Sequence, residues 1–510
     1  MPKIINFIRK HPLLILIVIL FISRIINLTL LPIFSDEANY LEWGWREIHD
    51  PGQAFLSLYD AKQPFLMWLF GIAQTISPGD PLWASRFISV LTGVLNLTGL
   101  YLIARKISST SVAVITGVIY ILCPFFVFFD RQALMESSLA SVFIWSFYFF
   151  LRFIQKPKVL YPSIIGVIIG IGFLIKSTAV LFRITFLVSA LYFAVKNRDR
   201  LYSLLSQILL GISSFLIVSL PLFFQSAFWT SFGTNDRYSM TFSQLTKFPL
   251  AVWGSNLLGN LEILFVNFTP LIFVAVVLGI YSCIKSRNSL YLYLLIWTAI
   301  PLLAYVFILR ETSSLSFRYL APLIPLLIIP TAEMFKSRKL LLTLSLIPAL
   351  AAYLILVFSP AQYFFIKNRL TRFSYLEGYI TAPGSGYQVN ALRNYFESKA
   401  EKEDIYVGVE IAAFNPTAAI YVYYRKNPHI IPAALDTSLF PEDLVGESDC
   451  IATDRPLYFL STDQQKPTLF KFLEYVDTVS NPYGSETNEI YTLKSGCSGK
   501  TFRIYPSFEN

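Results

Sequence analysis

Two carboxylates stand side by side in Ser35-Asp36-Glu37-Ala38, directly beyond an apolar run, and a lysine follows in Lys62-Gln63-Pro64. Asp130-Arg131 and Glu136 share a short break between later apolar stretches. Lys176 falls in another break, and Arg318-Tyr319 stand at the outer end of a further apolar run. A carboxylate within hydrogen-bond reach of a hydroxyl can take its proton as the oxygen attacks. Fixed Lys and Arg groups stabilise negative charge that grows on a leaving group, most strongly where water is excluded. Arg meets phosphate oxygens in pairs through its planar fork, while Lys acts as a point charge. Acids beside lipid are costly unless something offsets them. A basic lipid-phosphate site with a carboxylate base is one arrangement that does so.

The rest of the chain must hold these groups at a membrane. Of 510 residues, 55% are hydrophobic and 14% charged, and the mean hydropathy is +0.56. Soluble domains carry about a quarter charged residues, so this is a polytopic membrane protein. Residues 1–358 hold 27 Lys and Arg against 14 Asp and Glu, a net +13; residues 359–510 hold 14 against 18, a net −4. The basic excess lies in the membrane part and suits anionic lipid head groups. The acidic tail argues against a nucleic-acid partner.

Apolar runs at about 13–34, 82–104, 110–128, 137–154, 159–175, 178–195, 202–225, 263–284, 290–309, 317–335 and 339–358 give about eleven transmembrane helices. The first lacks a cleavage pattern and is expected to stay as a span. Phe65–Ile76 is shorter, flanked by Lys62 and Pro78-Gly79-Asp80, and reads as a helix lying in the interface. With the N-terminus cytoplasmic, every inner connection is then basic: Lys3/Arg9/Lys10, Arg105/Lys106, Arg152/Lys156/Lys158, Lys196/Arg198/Arg200, Lys285/Arg287 and Lys336/Arg338/Lys339. Counting Phe65–Ile76 as a span would turn these clusters outward. The outer connections are 35–81, 129–136, 176–177, 226–262, 310–316 and the tail. Connection 226–262 carries Trp229, Tyr238 and Trp253, as membrane interfaces do.

The expected division is a membrane domain over 1–358 and a small extracytoplasmic α/β domain over 359–510. Glu403–Val409, Leu457–Leu460 and Glu489–Leu493 read as strands, and Pro416–Tyr424 as a helix or a strand. Cys450 and Cys497 both fall in this tail, and an exported tail permits a disulfide between them. Only His11, His49 and His429 are present and there is no CxxC, so a His/Cys metal site is not expected.

The order Asp36-Glu37, Lys62-Gln63-Pro64-Phe65-Leu66, Ala84-Ser85-Arg86 and Arg131-Gln132-Ala133-Leu134-Met135-Glu136 resembles the GT-C glycosyltransferases. Among these it looks most like the family 39-like bacterial protein O-mannosyltransferase and aminoarabinose transferase group. Gly172-Phe173-Leu174-Ile175-Lys176-Ser177 and Phe317–Pro325 resemble later segments of that group, so the likeness covers about residues 10–358. The resemblance implies a GT-C fold and an inverting transfer, outside the cell membrane, of a sugar from a polyprenyl-phosphate donor to a protein, lipid or glycan acceptor. It implies Asp36 as general base and Lys62 as a phosphate-binding residue, with Glu136 where the group has a second functional acid. Two departures stand out: Glu136 replaces the usual Asp, and Lys62-Gln63-Pro64 replaces Lys-Pro-Pro.

Arg131 and Arg318 join Lys62 as expected phosphate contacts, with Lys176 behind them. Glu37, Asp130 and Glu136 are expected to orient the sugar, the acceptor or a cation, and Arg86 and Tyr319 complete the candidate substrate site. No cofactor is required, although two acidic patches leave a divalent cation open. Plainer readings compete. Arg131 can simply neutralise Asp130, Arg86 can snorkel to the interface, Arg183 inside a span can be a structural partner, and Glu262 can be a solvated helix end. A flippase for a lipid-linked sugar and a non-catalytic scaffold are the rival functions. Against a transporter, the charges crowd one face and no inverted repeat is visible.

Overall fold

A computed structural model describes every residue except 1–9, 78, 234–238, 314–315, 376, 383, 411–414, 436–449, 462–471, 485–486, 497, 500 and 504–510. It divides into two compact units. One comprises residues 1–28, 44–73 and 83–373; the other comprises 29–43, 74–82 and 374–510.

The first unit is helical. Among the described residues, six helices are long and apolar enough to cross a membrane: Pro81–Ile107, Glu136–Gln155, Ser177–Lys196, Arg198–Phe223, Ser289–Ile308 and Lys339–Phe358. Leu250–Phe268 and Pro270–Ser286 add a seventh if counted together, although they meet at 118°. The chain is a multi-pass membrane protein.

Several apolar runs in the sequence are not single helices. The run 13–34 is helical only over Pro12–Ile25. The run 110–128 breaks at Cys123, where Pro124 cannot continue the hydrogen-bond ladder and instead starts the helix Pro124–Phe129. The run 263–284 straddles the sharp break at Thr269, which adopts a left-handed φ of 69° before Pro270. The run 317–335 divides into Ser316–Leu320, Pro325–Leu327 and Ile328–Phe335. Conversely, 226–262 holds the helices Ser226–Gly233 and Phe242–Leu245 and the start of Leu250–Phe268. Phe65–Ile76 is a 12-residue helix. Helices Leu160–Ile175 and Leu201–Phe223 meet so closely that a Cβ at Gly166 would strike the Gly211 carbonyl, a small-residue contact typical of helices in lipid.

A buried polar tie fixes the end of the first helix. Arg24 is fully buried; its Nε meets Asp130 Oδ2 at 3.2 Å, and its terminal nitrogens donate to the Ile121 and Tyr120 carbonyls at 2.9 and 3.2 Å. Asp130 Oδ1 accepts from Tyr120 Oη at 2.9 Å and Ser137 Oγ at 2.8 Å.

The second unit contains a mixed sheet of strands β1 (Ile405–Glu410), β2 (Ile430–Leu435), β4 (Leu457–Ser461), β5 (Leu473–Ser480) and β6 (Thr487–Leu493), with a separate parallel pair of β3 (Cys450–Ala452) and β7 (Thr501–Arg503). The order is β2-β1-β4-β6-β5. β1 runs parallel to β2 and β4, while β6 is antiparallel to β4 and β5. The two-residue period of a strand separates its faces. Ile405, Val407 and Val409 pack with Leu392 and Phe396 of helix Gly386–Ala400, and Tyr406 goes to the opposite core with Leu457 and Phe459. Residues 416–424 resolve as the helix Thr417–Tyr424. Cys450 is disulfide-bonded; Cys497 lies outside the described residues.

Removing one partner of a buried ion pair leaves the other charged and unsolvated, at a cost of about 3–5 kcal/mol. Asp130→Asn and Arg24→Met should each lower the thermal unfolding temperature in detergent. The double variant Arg24→Met with Asp130→Leu should lose less than the two single losses combined.

Candidate functional site

The predicted residues fall into three groups, two in the helical unit and one in the second unit.

The first group is the tie itself. Arg131 Nη1 donates to the Arg24 and Ile26 carbonyls, both at 2.7 Å, and Nη2 donates to the Asn27 carbonyl at 2.7 Å. A helix leaves its last carbonyls unsatisfied, and Arg131 serves those of Pro12–Ile25 and the turn beyond. Arg86 is fully buried, donating to the Leu28 carbonyl at 2.9 Å and to Gln132 Oε1 at 3.1 Å. Asp130 faces Arg24, an ion pair between residues 106 apart in the chain.

The second group gathers Glu136, Lys176, Arg318, Tyr319 and Lys62. Glu136 is the first residue of helix Glu136–Gln155 and is fully buried. Its Oε1 is shared by Lys176 Nζ and Arg318 Nε, each at 3.2 Å, and its Oε2 is buried with no hydrogen-bond partner. Lys176 Nζ also lies 4.9 Å from the centre of the Tyr319 ring, a cation–π contact. Lys62 is half-buried and near enough for its charge to act on Lys176. The cluster is a carboxylate outnumbered by cations in a largely dry setting, the electrostatic form of an anion site.

Both departures from the family pattern have work in this cluster. Gln63 Oε1 accepts the Ser177 N–H at 3.1 Å, which ties the Lys62 segment to the residue after Lys176; a proline has no side chain for that bond. Glu136 reaches Lys176 and Arg318 through a single oxygen.

The third group lies in the second unit. Asp36 and Glu37 occupy the first turn of helix Ser35–His49. Glu37 is fully buried and its Oε2 accepts the Phe34 N–H at 2.9 Å, whereas Asp36 remains half-exposed. The C-terminal residues hold this segment. Asn415 N donates to Ser35 Oγ at 3.1 Å, Phe34 stacks on Tyr379 at 4.3 Å, and Arg425 pairs with Glu42 at 2.7 Å. Among the described residues, no three His, Cys, Asp or Glu side chains gather as a metal-ligand set.

Sequence reasoning missed Arg24, Tyr120, Ser137, Glu47 and Lys367. Arg24 carried a signal, being an arginine inside an apolar run, where a charge must find a partner. Lys367 is buried with its Nζ 4.7 Å from the Phe317 ring centre, next to Arg318, and nothing in its sequence neighbourhood marks it. Glu262 is not a solvated end: it accepts from Thr371 Oγ1 at 2.6 Å and the Arg372 N–H at 2.9 Å, and pairs with the Arg372 side chain at 3.0 Å. Arg183 lies 4.7 Å over the Phe215 ring.

Comparison with known proteins agrees with this architecture. Residues 61–224 match the family model described as dolichyl-phosphate-mannose-protein mannosyltransferase. That segment includes Lys62, Arg86, Asp130, Arg131, Glu136 and Lys176. The fold matches ArnT from Cupriavidus metallidurans in the apo state, with a TM-score of 0.61 and 15% identity over 96% of this chain and 98% of that one. It also matches the same protein bound to undecaprenyl phosphate, with a TM-score of 0.60 and 15% identity over 98% and 99%. The chain therefore has a GT-C-like fold. It is 25% identical over 284 residues to the lipid A galacturonosyltransferase RgtD of Rhizobium johnstonii, an alignment covering 52% of this chain. The chain spans about half the length of that curated relative, 53%.

Hydrogen bonds to a charged group contribute about 1.5–3 kcal/mol. Arg131→Gln should therefore lower thermal stability by an amount in that range in the protein without added ligand. An unchanged unfolding temperature would show that its carbonyl contacts contribute nothing.

Proposed function

We propose that this protein is an inverting glycosyltransferase that moves a hexosyl or pentosyl group from a polyprenyl-phosphate donor to an acceptor hydroxyl on the extracytoplasmic face of the cell membrane. The observation that carries this reading is the buried Glu136–Lys176–Arg318 cluster with Lys62 at its edge. It lies in a chain whose fold matches a protein solved with undecaprenyl phosphate. Residues 1–358 act as the membrane catalytic domain and 359–510 as an extracytoplasmic domain that supports the Asp36 segment, with the N-terminus cytoplasmic.

In the reaction, the acceptor oxygen attacks the anomeric carbon as the bond from that carbon to the donor phosphate oxygen breaks. Asp36 takes the acceptor proton. The donor phosphodiester carries one negative charge, and the departing monoester gains a second. Lys62, Lys176 and Arg318 stabilise that gain more than the ground state, so they lower the barrier rather than merely tighten binding. Glu136 holds Lys176 and Arg318 in place, and its second oxygen is available to a hydroxyl of the bound sugar. Asp130, Arg131 and Arg86 position the backbone beside the Glu136 cluster, and Glu37 holds the backbone beside Asp36. Membrane lipid holds the polyprenyl tail throughout. The acceptor is a protein, lipid or glycan hydroxyl.

Transfer from a panel of radiolabelled polyprenyl-phosphate sugars in membranes tests the reading. Wild type should move label from lipid to acceptor. Asp36→Asn should lose about 10²–10⁴-fold in turnover while still binding the donor. Lys62→Gln should weaken donor binding about 10- to 100-fold, the equivalent of one charged hydrogen bond. No transfer from any donor, or movement of the donor across the bilayer without transfer, would overturn the proposal.

A further inference from the structure

Glu47 is a carboxylate that none of the roles above uses. It sits in the last turn of helix Ser35–His49, and only 4% of its surface is exposed. Its Oε1 accepts the Ser57 N–H at 2.8 Å. Ser57 is itself fully buried in the short turn Leu56–Asp60, and its carbonyl accepts the Lys62 N–H at 3.0 Å. One residue thus joins the Glu47 carboxyl, on one side, to the backbone of Lys62, on the other. Between them Ala61 takes a left-handed φ of 58° and donates to the Leu58 carbonyl at 3.0 Å. Leu58 is held in turn by Ser231 Oγ at 2.7 Å, and Gln63 is held by the Ser177 N–H at 3.1 Å. Lys62 therefore lies in a segment pinned at both ends, by Glu47 through Ser57 and by Ser177 through Gln63.

The setting is dry. Helix Phe65–Ile76 approaches so closely that a Cβ at Gly44 would strike the Met67 carbonyl. Neither Phe65–Ile76 nor Ser226–Gly233, which packs on the turn, carries a charged residue. The charged groups on the intervening connection are Asp50, Asp60 and Lys62, and those beside Glu47 on its own helix are Arg46 and His49. Asp50 accepts from Gly52 N and Gln53 Nε2, and His49 Nδ1 faces the Trp45 carbonyl. No charge among them offsets the burial of Glu47. Burial pushes the carboxyl up to about 8, and only its contacts with Ser57 oppose that rise.

We propose that Glu47 is a positioning residue for Lys62, working as a neutral carboxylic acid that fixes the Ser57 turn. This rests on the reading of Lys62 as a donor-phosphate contact. While Glu47 is protonated, the turn closes over it at no electrostatic cost. When it ionises, a bare charge stands in an apolar pocket, and the relief is to open the turn to water. That frees Ser57 and with it the backbone of Lys62. The sign follows from linkage. The folded protein favours the protonated form, so the stability it contributes is full below the ordinary carboxylate range near 4.5 and is lost as pH rises toward about 8.

The test is steady-state transfer in liposomes across pH 6–10, with donor KM and kcat measured separately for wild type, Glu47→Gln, Glu47→Ala and Lys62→Gln. Glutamine keeps the acceptor oxygen for Ser57 and cannot ionise. Wild type should show donor KM rising on the alkaline side with a midpoint near 8. Glu47→Gln should retain neutral-pH activity and lose that limb, and Glu47→Ala should raise donor KM about tenfold at every pH, the scale of one lost hydrogen bond. Thermal unfolding gives a second readout: the wild-type melting temperature should fall between pH 6 and 9, and that of Glu47→Gln should not. An alkaline limb unchanged in Glu47→Gln, or a melting temperature with the same pH dependence in both proteins, would overturn the role of Glu47. A normal donor KM in Lys62→Gln would instead overturn the reading of Lys62, whatever Glu47 does.

Discussion

The ion pair between Arg24 and Asp130 is the constraint on which the rest of the helical unit depends. Neither group reaches water, and each is stable as a charge only in the presence of the other and of the hydrogen bonds that complete its shell. The pair is thus a condition on folding more than a source of stability. The first helix has to end where Arg24 can meet Asp130, and the break after Phe129 has to place Asp130 there. Arg131, the next residue, then takes the carbonyls that the helix end leaves open. Six residues beyond Asp130, Glu136 begins its helix with Lys176 and Arg318 on its carboxyl. The structural tie and the anion cluster are the two ends of one short segment.

This arrangement explains which parts of the molecule were legible in the sequence. Apolar runs and basic connections follow from bilayer physics and are local, so the multi-pass helical unit was readable. The alternation in Ile405–Glu410 and Leu457–Ser461 is equally local, and those strands were found. Roles that depend on distant partners were not legible. Arg131 and Glu136 look alike as charged residues in one short connection, yet one grips backbone carbonyls and the other holds two cations. Only the positions of Ser23–Asn27, Lys176 and Arg318 separate them. Glu37 stands beside Asp36, but the direction of each side chain on the helix decides that Glu37 turns inward to the Phe34 amide. The apolar runs that break at Cys123, Thr269 and Leu320 were hidden because composition reports hydrophobicity, while a proline and a single left-handed residue decide where a helix stops.

The charged groups of the anion site share one further property: each stands at a helix end. Glu136 opens its helix, Lys176 follows the end of Leu160–Ile175, and Arg318 lies in the last turn of Ser316–Leu320. The acid therefore sits at the positive end of its helix dipole, which lowers the cost of burying it. A site in mid-helix would lack both that compensation and the exposed backbone groups of a terminus. Broken spans are thus the way a membrane bundle can hold several charges together. A continuous helix through Leu320, or one bridging Ile175 and Val180, would leave Arg318 or Lys176 in apolar surroundings with no terminus to support it. The same breaks that made the helices hard to delimit in the sequence are what bring Glu136, Lys176 and Arg318 together inside them.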